Sequence, residues 1–369
     1  MKAQLKAYFL YGDHVTTVLL FALLAAGAAM VNSATFGTKF VALAPRQMVW
    51  CLVAAGVYLL AALIPYDIWL EYSYVLYGFC LLVLLGVLVF GHAVAGSRSW
   101  IVVGPVGFQP SELAKVAAAL AGAGYIRDLS HKVIGVKEFF VLAGITGLPA
   151  FLTLIEPDFG TSTTFLPMIL AAFYLSKLEL SQILKWAGAA AVALALLLVL
   201  GWFTFFKPYQ KERILTFVNP TTETRGAGYQ VHQARIAVGS GETTGKGLYS
   251  GTQNRLNFLP APHTDFIFGV ICEETGFLGS TAMLGLFLAL LWRFLSTLLV
   301  ARDLEGRYLV LCAFAVILYH LAINVGMVLG LVPTVGIPLP FLSYGGSSLM
   351  GLTLFVGLAA NVRGRRFVQ

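Results

Sequence analysis

The sequence predicts an all-α polytopic membrane protein with about ten transmembrane helices. Three observations carry that prediction. Hydrophobic residues make up 59% of the chain and charged residues only 11%; mean hydropathy is +0.84; and apolar runs of membrane-crossing length recur from one end to the other. A water-soluble domain carries roughly 25% charged residues. A chain this apolar lacks the polar groups to cover its own surface in water, so lipid is its natural solvent and its constant partner.

The runs fall near 15–32, 47–64, 73–94, 111–126, 138–155, 159–176, 184–206, 266–300, 308–332 and 346–362. A hydrocarbon core is crossed by roughly 17–25 helical residues, and the eighth run is too long for one span. Its first part, Phe266 to Gly279, is expected to approach the membrane surface before the true span. Lys2 and Lys6 before the first run resemble a signal peptide in outline, but the many runs that follow make it a retained anchor helix. The 369 residues read as one integral membrane domain.

Ten spans put both termini on one side, and the positive-inside rule says which. With the N-terminus in the cytoplasm, the inner segments hold Lys2, Lys6, Arg127, Lys132, Lys137, Lys177, Lys185, Arg302, Arg307, Arg363, Arg365 and Arg366. The short outer loops hold only Lys39, Arg46 and Arg98. This is the topology of a multi-pass membrane protein with both ends in the cytoplasm. One outer loop, residues 207–264 between spans seven and eight, is long, hydrophilic and basic, with seven Lys/Arg against three acids. Long loops cross regardless of charge, and function is a common reason for such length. Its net charge suits a diphosphate at the outer leaflet.

Composition also excludes. Net charge is +7, but no long basic tract exists, so nucleic acid is not an expected partner. Cys51, Cys80, Cys272 and Cys312 lie in or beside apolar runs without CxxC spacing and read as small packing residues. The six histidines show no metal-binding spacing. Residues 239–247, GSGETTGKG, imitate a phosphate loop but lack the glycine needed at 240 and the Ser/Thr needed at 247.

Polar residues at the outer ends of spans are the candidates for chemistry, because intramembrane charge is costly and usually functional. The first group is Gly96 to Ile101 (GSRSWI), then Gln109-Pro110-Ser111-Glu112 and Lys115. Ser111 reads as an N-cap, and Glu112 and Lys115, three apart, share a helical face. They are either a neutralising pair that lets a polar helix end enter the membrane, or the wall of a cavity in which Lys115 or Arg98 holds phosphate. The second group, Glu156-Pro157-Asp158-Phe159-Gly160-Thr161, is a tight turn in which Asp158 reads first as the cap of span six. The third, Phe258 to Phe268 (FLPAPHTDFIF), ends the large loop. Asp265 there is either an N-cap or a general base whose partial burial lifts its pKa. Glu273 and Glu274 follow and are expected at the surface. The fourth, Val332 to Ser348, is greasy yet rich in Pro and Gly. It is non-helical backbone, tolerated at membrane depth only where protein or a water cavity surrounds it. His320 and Asn324, four apart on span nine, suit interhelical hydrogen bonds better than ligand binding.

Together these segments resemble the SEDS family (shape, elongation, division and sporulation) of bacterial cell-wall proteins. The resemblance rests on GSRSWI with QPSE and Lys115, EPDFGT, GYQVHQARIAVGSG with GKG, FLPAPHTDFIF with EETGFLG, and IPLPFLSYGGSS, in that order across residues 96–348. GTQNRLNFLP and the short N-terminal tail are similar to the family's elongation branch. The resemblance implies ten helices with cytoplasmic ends. It also implies an inverting peptidoglycan glycosyltransferase with an extracytoplasmic active site, acting on lipid II beside a class B penicillin-binding transpeptidase. The family's essential HTDF aspartate maps onto Asp265, and its fourth-span Arg, Glu and Lys map onto Arg98, Glu112 and Lys115. The candidate set is therefore Asp265 as catalytic residue. Arg98, Glu112, Lys115, His263, Lys246 and Arg255 are assigned to substrate and diphosphate; Trp100, Asp158, Ser343 and Ser347 line the cavity. No dedicated metal cage is visible, although the leaving diphosphate leaves room for a divalent cation, Mg or Mn. The chain departs from the family at Ala261, where a Glu is common, at Glu156, where Gln is common, and at EETG for EELG. Ala261 removes a second carboxylate, so a paired-acid mechanism is not expected. Two rival functions share these features: a lipid II flippase, and a non-catalytic scaffold for the transpeptidase.

Overall fold

A computed structural model describes residues 12–94, 97–104, 106–131, 133–179, 181–182, 185, 188, 227–256, 258–259 and 261–366. The run read as span seven, 184–206, and the first part of the large loop, 207–226, lie outside the described residues apart from two isolated positions. Helix α1 spans His14–Thr35, α2 Leu43–Leu63, α3 Tyr66–Glu71 and α4 Ser73–Phe90. Then come α5 Pro110–Asp128, α6 Val136–Ile155, the short α7 Phe159–Thr163 and α8 Leu166–Leu175. After the gap follow α9 Ala227–Ser240, α10 Thr252–Arg255, α11 Ile267–Val300, α12 Leu304–Leu329 and α13 Gly346–Gly364.

Local chemistry sets the ends. Asp13 caps α1 by accepting from the Thr16 amide at 3.3 Å. Ile64 precedes Pro65 and is extended, which stops α2. Gly330 closes α12 in the left-handed conformation. Ser111 is not the cap expected of it: α5 starts at Pro110, whose missing N–H is an orphan position in any first turn.

Among the described residues six helices are long and apolar enough to cross a membrane: α1, α2, α4, α6, α11 and α12. The inner helices α5 and α13 are not among them, for a physical reason. α5 packs against α4, α6, α12 and α13, and α13 against α2, α5 and α12. Their surfaces meet protein rather than lipid, and Ala, Gly and Ser let backbones approach closely. Almost every α5 residue from Pro110 to Gly124 is buried.

The fold is not purely helical. The run read as 73–94 ends as helix at Phe90 and continues into a small antiparallel sheet, β1 His92–Val94, β2 Ser97–Val103 and β3 Val106–Phe108. Trp100 pairs with His92 and Ile101 with Phe108. The start of α11 is packed inside the protein: Ile267 to Glu274 are all buried. The helix is broken at Gly276, with φ 65° and ψ −166°. A Cβ there would stand 2.3 Å from the Gly245 amide nitrogen, so only glycine permits the approach.

Polar side chains divide the molecule into two ends. At one, Arg293 donates twice to Asp13 Oδ1 at 2.8 and 2.6 Å, Arg363 lies 3.9 Å from Asp13 Oδ2, and Asn361 donates to the carbonyls of Ala61, Ala62 and Ile64. At the other, the end of α1 binds the loop before α11: Asn254 donates to Ala34 O at 2.9 Å, and the Tyr249 amide donates to Ser33 Oγ at 2.9 Å.

Candidate active site

Asp265 lies at the second end, in a tight turn over residues 261–266 where the Thr264 and Phe266 amides both donate to Ala261 O. Its side chain is half-buried. Phe266 occupies the N-cap position of α11, so Asp265 stands one residue outside the helix rather than capping it. Three consecutive carbonyls around it are each bound by a donor from elsewhere. The Tyr344 amide donates to His263 O at 2.8 Å, Ser343 Oγ donates to Thr264 O at 2.7 Å, and Asn324 Nδ2 donates to Asp265 O at 2.9 Å.

Those donors come from or beside the Pro-rich stretch 333–345, which runs non-helical through the protein interior: Ile337, Leu339, Phe341 and Leu342 are all buried. Backbone there needs internal partners. Asn324 supplies one to Ile337 O at 2.8 Å, and His320 Nδ1 one to Pro338 O at 3.3 Å. Ser343 Oγ also accepts from the Leu339 amide at 2.8 Å. Ser347 Oγ accepts from the Gln109 amide at 3.0 Å. Both serines are therefore buried ties between segments, not the lining of an open cavity.

Glu112 and Lys115 form an ion pair at 3.0 Å, with side chains only 4% and 1% exposed. The ammonium also lies 3.3 Å from His320 Nε2. An ammonium only donates, so Nε2 accepts and the imidazole proton sits on Nδ1, which donates to Pro338 O. The pair is interior and holds α5 to α12; it does not face an aqueous groove.

The other candidates divide. Arg98 is exposed on β2, where its amide donates to Glu156 O at 3.2 Å. Trp100 is half-buried against Gly107, where a Cβ would come within 3.1 Å of its ring. Arg255 is exposed at the end of α10, 5.9 Å from the Phe36 ring. Asp158 caps α7 through the Thr161 amide at 3.1 Å and accepts from Gln109 Nε2 at 2.7 Å. His263 packs against Phe40 and Tyr344 at ring distances of 4.5 and 6.0 Å, and burial pushes its imidazole below the ordinary value. It is neutral at pH 7, which suits a hydrogen-bonding role and not charge on a diphosphate. Lys246 is a correction: its three donors go to Ser240 Oγ, Thr252 Oγ1 and Glu273 Oε1 at 2.9, 2.8 and 2.6 Å. No N–H is left for phosphate.

Glu273 and Glu274, expected at the surface, are instead buried anchors for the loop. Glu273 Oε1 takes Lys246, the Thr252 hydroxyl and the Gln253 amide, and Glu274 takes the Ser33 hydroxyl at 2.5 Å. Their own carbonyls accept from the Lys246 and Gly247 amides. The GKG and EETG motifs are thus two halves of one clasp. Glu156 is a further buried acid, 1% exposed, with neither oxygen bonded within the described structure. Burial and then the charge of Asp158 push its carboxyl up to about 8. Among the described residues no three His, Cys, Asp or Glu side chains are grouped to hold a metal ion.

Residues 8–366 match the model of a cell cycle protein family that joins FtsW, RodA and SpoVE. The chain is 34% identical over 358 residues to the peptidoglycan glycosyltransferase MrdB of Escherichia coli K12, covering 96% of this chain and 94% of that one. A solved chain from a peptidoglycan synthase complex, described as coordinating polymerization and crosslinking, superposes with a TM-score of 0.80 at 29% identity, covering 97% of this chain and 99% of that one. The rod shape determining protein RodA of Thermus thermophilus superposes at 0.69 with 27% identity, covering 97% and 98%.

Proposed function

The chain belongs to the cell cycle protein family of FtsW, RodA and SpoVE, and from that membership we propose a peptidoglycan glycosyltransferase of the elongation type in which Asp265 is the general base. The enzyme polymerises lipid II into β-1,4-linked glycan strands. The Asp265 carboxylate takes the proton from the 4-hydroxyl of the acceptor N-acetylglucosamine. That oxygen forms a bond to the anomeric carbon of the donor N-acetylmuramic acid, and the bond from that carbon to undecaprenyl diphosphate breaks. An α-linked donor that becomes a β link is inverted, so one displacement suffices and no sugar–enzyme bond forms. The diphosphate carries the departing charge, and exposed cations stabilise it; Arg98 and Arg255 fit this role by exposure, while Lys246 and Lys115 act within the protein.

The observation that carries the reading is a half-exposed carboxylate whose backbone is fixed by buried donors at the loop-bearing end of the bundle. Ten spans with both termini in the cytoplasm of a bacterial inner membrane agree with it: Asp13 and Arg363, near the two termini, meet at the opposite end. A class B penicillin-binding transpeptidase as partner is supported by the likeness to a synthase complex that couples polymerization to crosslinking. The test is lipid II polymerisation by the purified protein in detergent, read as glycan length on a gel. Asp265→Asn is expected to abolish polymer; a correctly inserted Asp265→Asn that polymerises at the wild-type rate ends the proposal. A flippase makes no polymer in detergent, so the same gel separates it.

A further inference from the structure

We infer that Asn324 is a positioning residue for Asp265: its buried carboxamide clamps the Asp265 backbone to the segment that seats the carboxylate. The inference rests on the reading of Asp265 as the base. Asn324 projects from the last two turns of α12 and is fully buried. An Asn side chain carries two N–H donors, and here one meets Asp265 O at 2.9 Å and the other Ile337 O at 2.8 Å. One side chain on a rigid helix thus joins two irregular strands of backbone that are separated by 59 and 13 residues from it in sequence.

The second strand is where the carboxylate sits. Gly336, next to Ile337, has φ +73°, and a Cβ there would lie 3.5 Å from Asp265 Oδ2. The carboxylate therefore faces the bare side of Gly336, at ordinary contact distance from where a Cβ would stand. Asn324 fixes the distance between the Asp265 backbone and that seat by holding both peptides at once. His320, one turn earlier on α12, holds the next carbonyl, Pro338 O, and is itself held by Lys115. The ion pair on α5 is thereby linked, through two α12 side chains, to the position of Asp265.

Loss of the clamp lets the base move relative to the acceptor hydroxyl while the sugar and lipid contacts stay. A displacement of about 1 Å costs on the order of 100-fold in rate. Asn324→Leu keeps the volume and removes both donors. It is expected to lower kcat by roughly 30–100-fold with KM for lipid II within about threefold of wild type. Asn324→Asp keeps the shape but donates one hydrogen bond only when protonated, and none when ionised. It is expected to retain partial activity at low pH and lose it as pH rises, a descending limb that wild type lacks. That limb reports the clamp even if the leucine variant does not fold. Lipid II polymerisation is measured for both variants and for Asp265→Asn in parallel. An active Asp265→Asn removes the base itself. An inactive Asp265→Asn beside an Asn324→Leu of wild-type kcat, or one altered only in KM, overturns the clamp and leaves the base standing. An Asn324→Asp profile that tracks wild type at every pH overturns it as well.

Discussion

Removing the Lys115 ammonium gives the sharpest test of how the interior is held. The pair with Glu112 is 3.0 Å long and almost completely buried. At an effective dielectric of about 20, two charges at that distance attract by roughly 5 kcal/mol, but desolvation offsets most of this, so an intact buried pair adds little net stability. Breaking it is different. Lys115→Met leaves the Glu112 carboxylate without its counter-charge and strips His320 Nε2 of its donor. A single deletion of this kind costs about 3–5 kcal/mol. With an unfolding entropy of about 2 cal/mol/K per residue over 369 residues, that corresponds to a fall in melting temperature of about 4–7 °C. The double variant Glu112→Gln/Lys115→Met removes both charges and should recover most of the loss. The assay is thermal unfolding in one detergent, with the variants compared at equal lipid content. A single variant that melts with wild type, or a double variant no better than the single, would refute the claim that charge compensation rather than packing governs this site.

Two further outcomes follow from the loop-bearing end. Glu156 holds its proton up to about 8 when folded, against an ordinary value of 4.5, so the folded state binds more protons than the unfolded between those values and stability falls as pH rises through that window; Glu156→Gln should flatten melting temperature between pH 5 and 9, and a slope equal to wild type contradicts the assignment. Lys246→Met removes the cation from the fully buried Glu273 carboxylate and leaves it only the Thr252 and Gln253 donors, which is expected to loosen the clasp by about 2 kcal/mol, seen as faster limited proteolysis between residues 240 and 255; unchanged cleavage would show that the remaining bonds alone hold the loop.

Most of the helical frame was legible in the residues, including α5, whose charges Glu112, Lys115, Arg127 and Asp128 set it apart, and α13, whose small and polar residues lower its hydropathy; both still read as spans near 111–126 and 346–362. The sheet at 92–108 was not, because β1 and β3 are only three residues long and β2 opens on Ser97-Arg98-Ser99 and ends on Ile101-Val102-Val103, so no strand shows an alternating pattern. The roles of the polar residues were legible only in part. Asp265, Asn324 and the Pro-rich stretch stand out locally, since polar groups and prolines are rare in such a chain. Their partners do not. Lys115 and His320 are 205 residues apart, Ser343 and Thr264 79, and Lys246 and Glu273 27. Lys246 looked like a phosphate ligand because a free ammonium and one whose donors are all engaged are the same letter.

Irregular backbone inside an apolar bundle must be satisfied by side chains, since no water is there to do it. Asn324, His320 and Ser343 meet that need for residues 264, 265, 337 and 338. They are also the groups that fix where the Asp265 carboxylate stands. Solvation of the fold and placement of the base are therefore one set of hydrogen bonds, and a scan scored by loss of activity alone will merge the two effects. They separate only when melting temperature and kcat are measured on the same variant. Asn361, which satisfies three carbonyls at the opposite end, is the control: Asn361→Leu should lower the melting temperature while the folded fraction keeps its kcat. Equal loss of kcat per degree at Asn361 and Asn324 would mean that both asparagines serve the fold and neither serves the base.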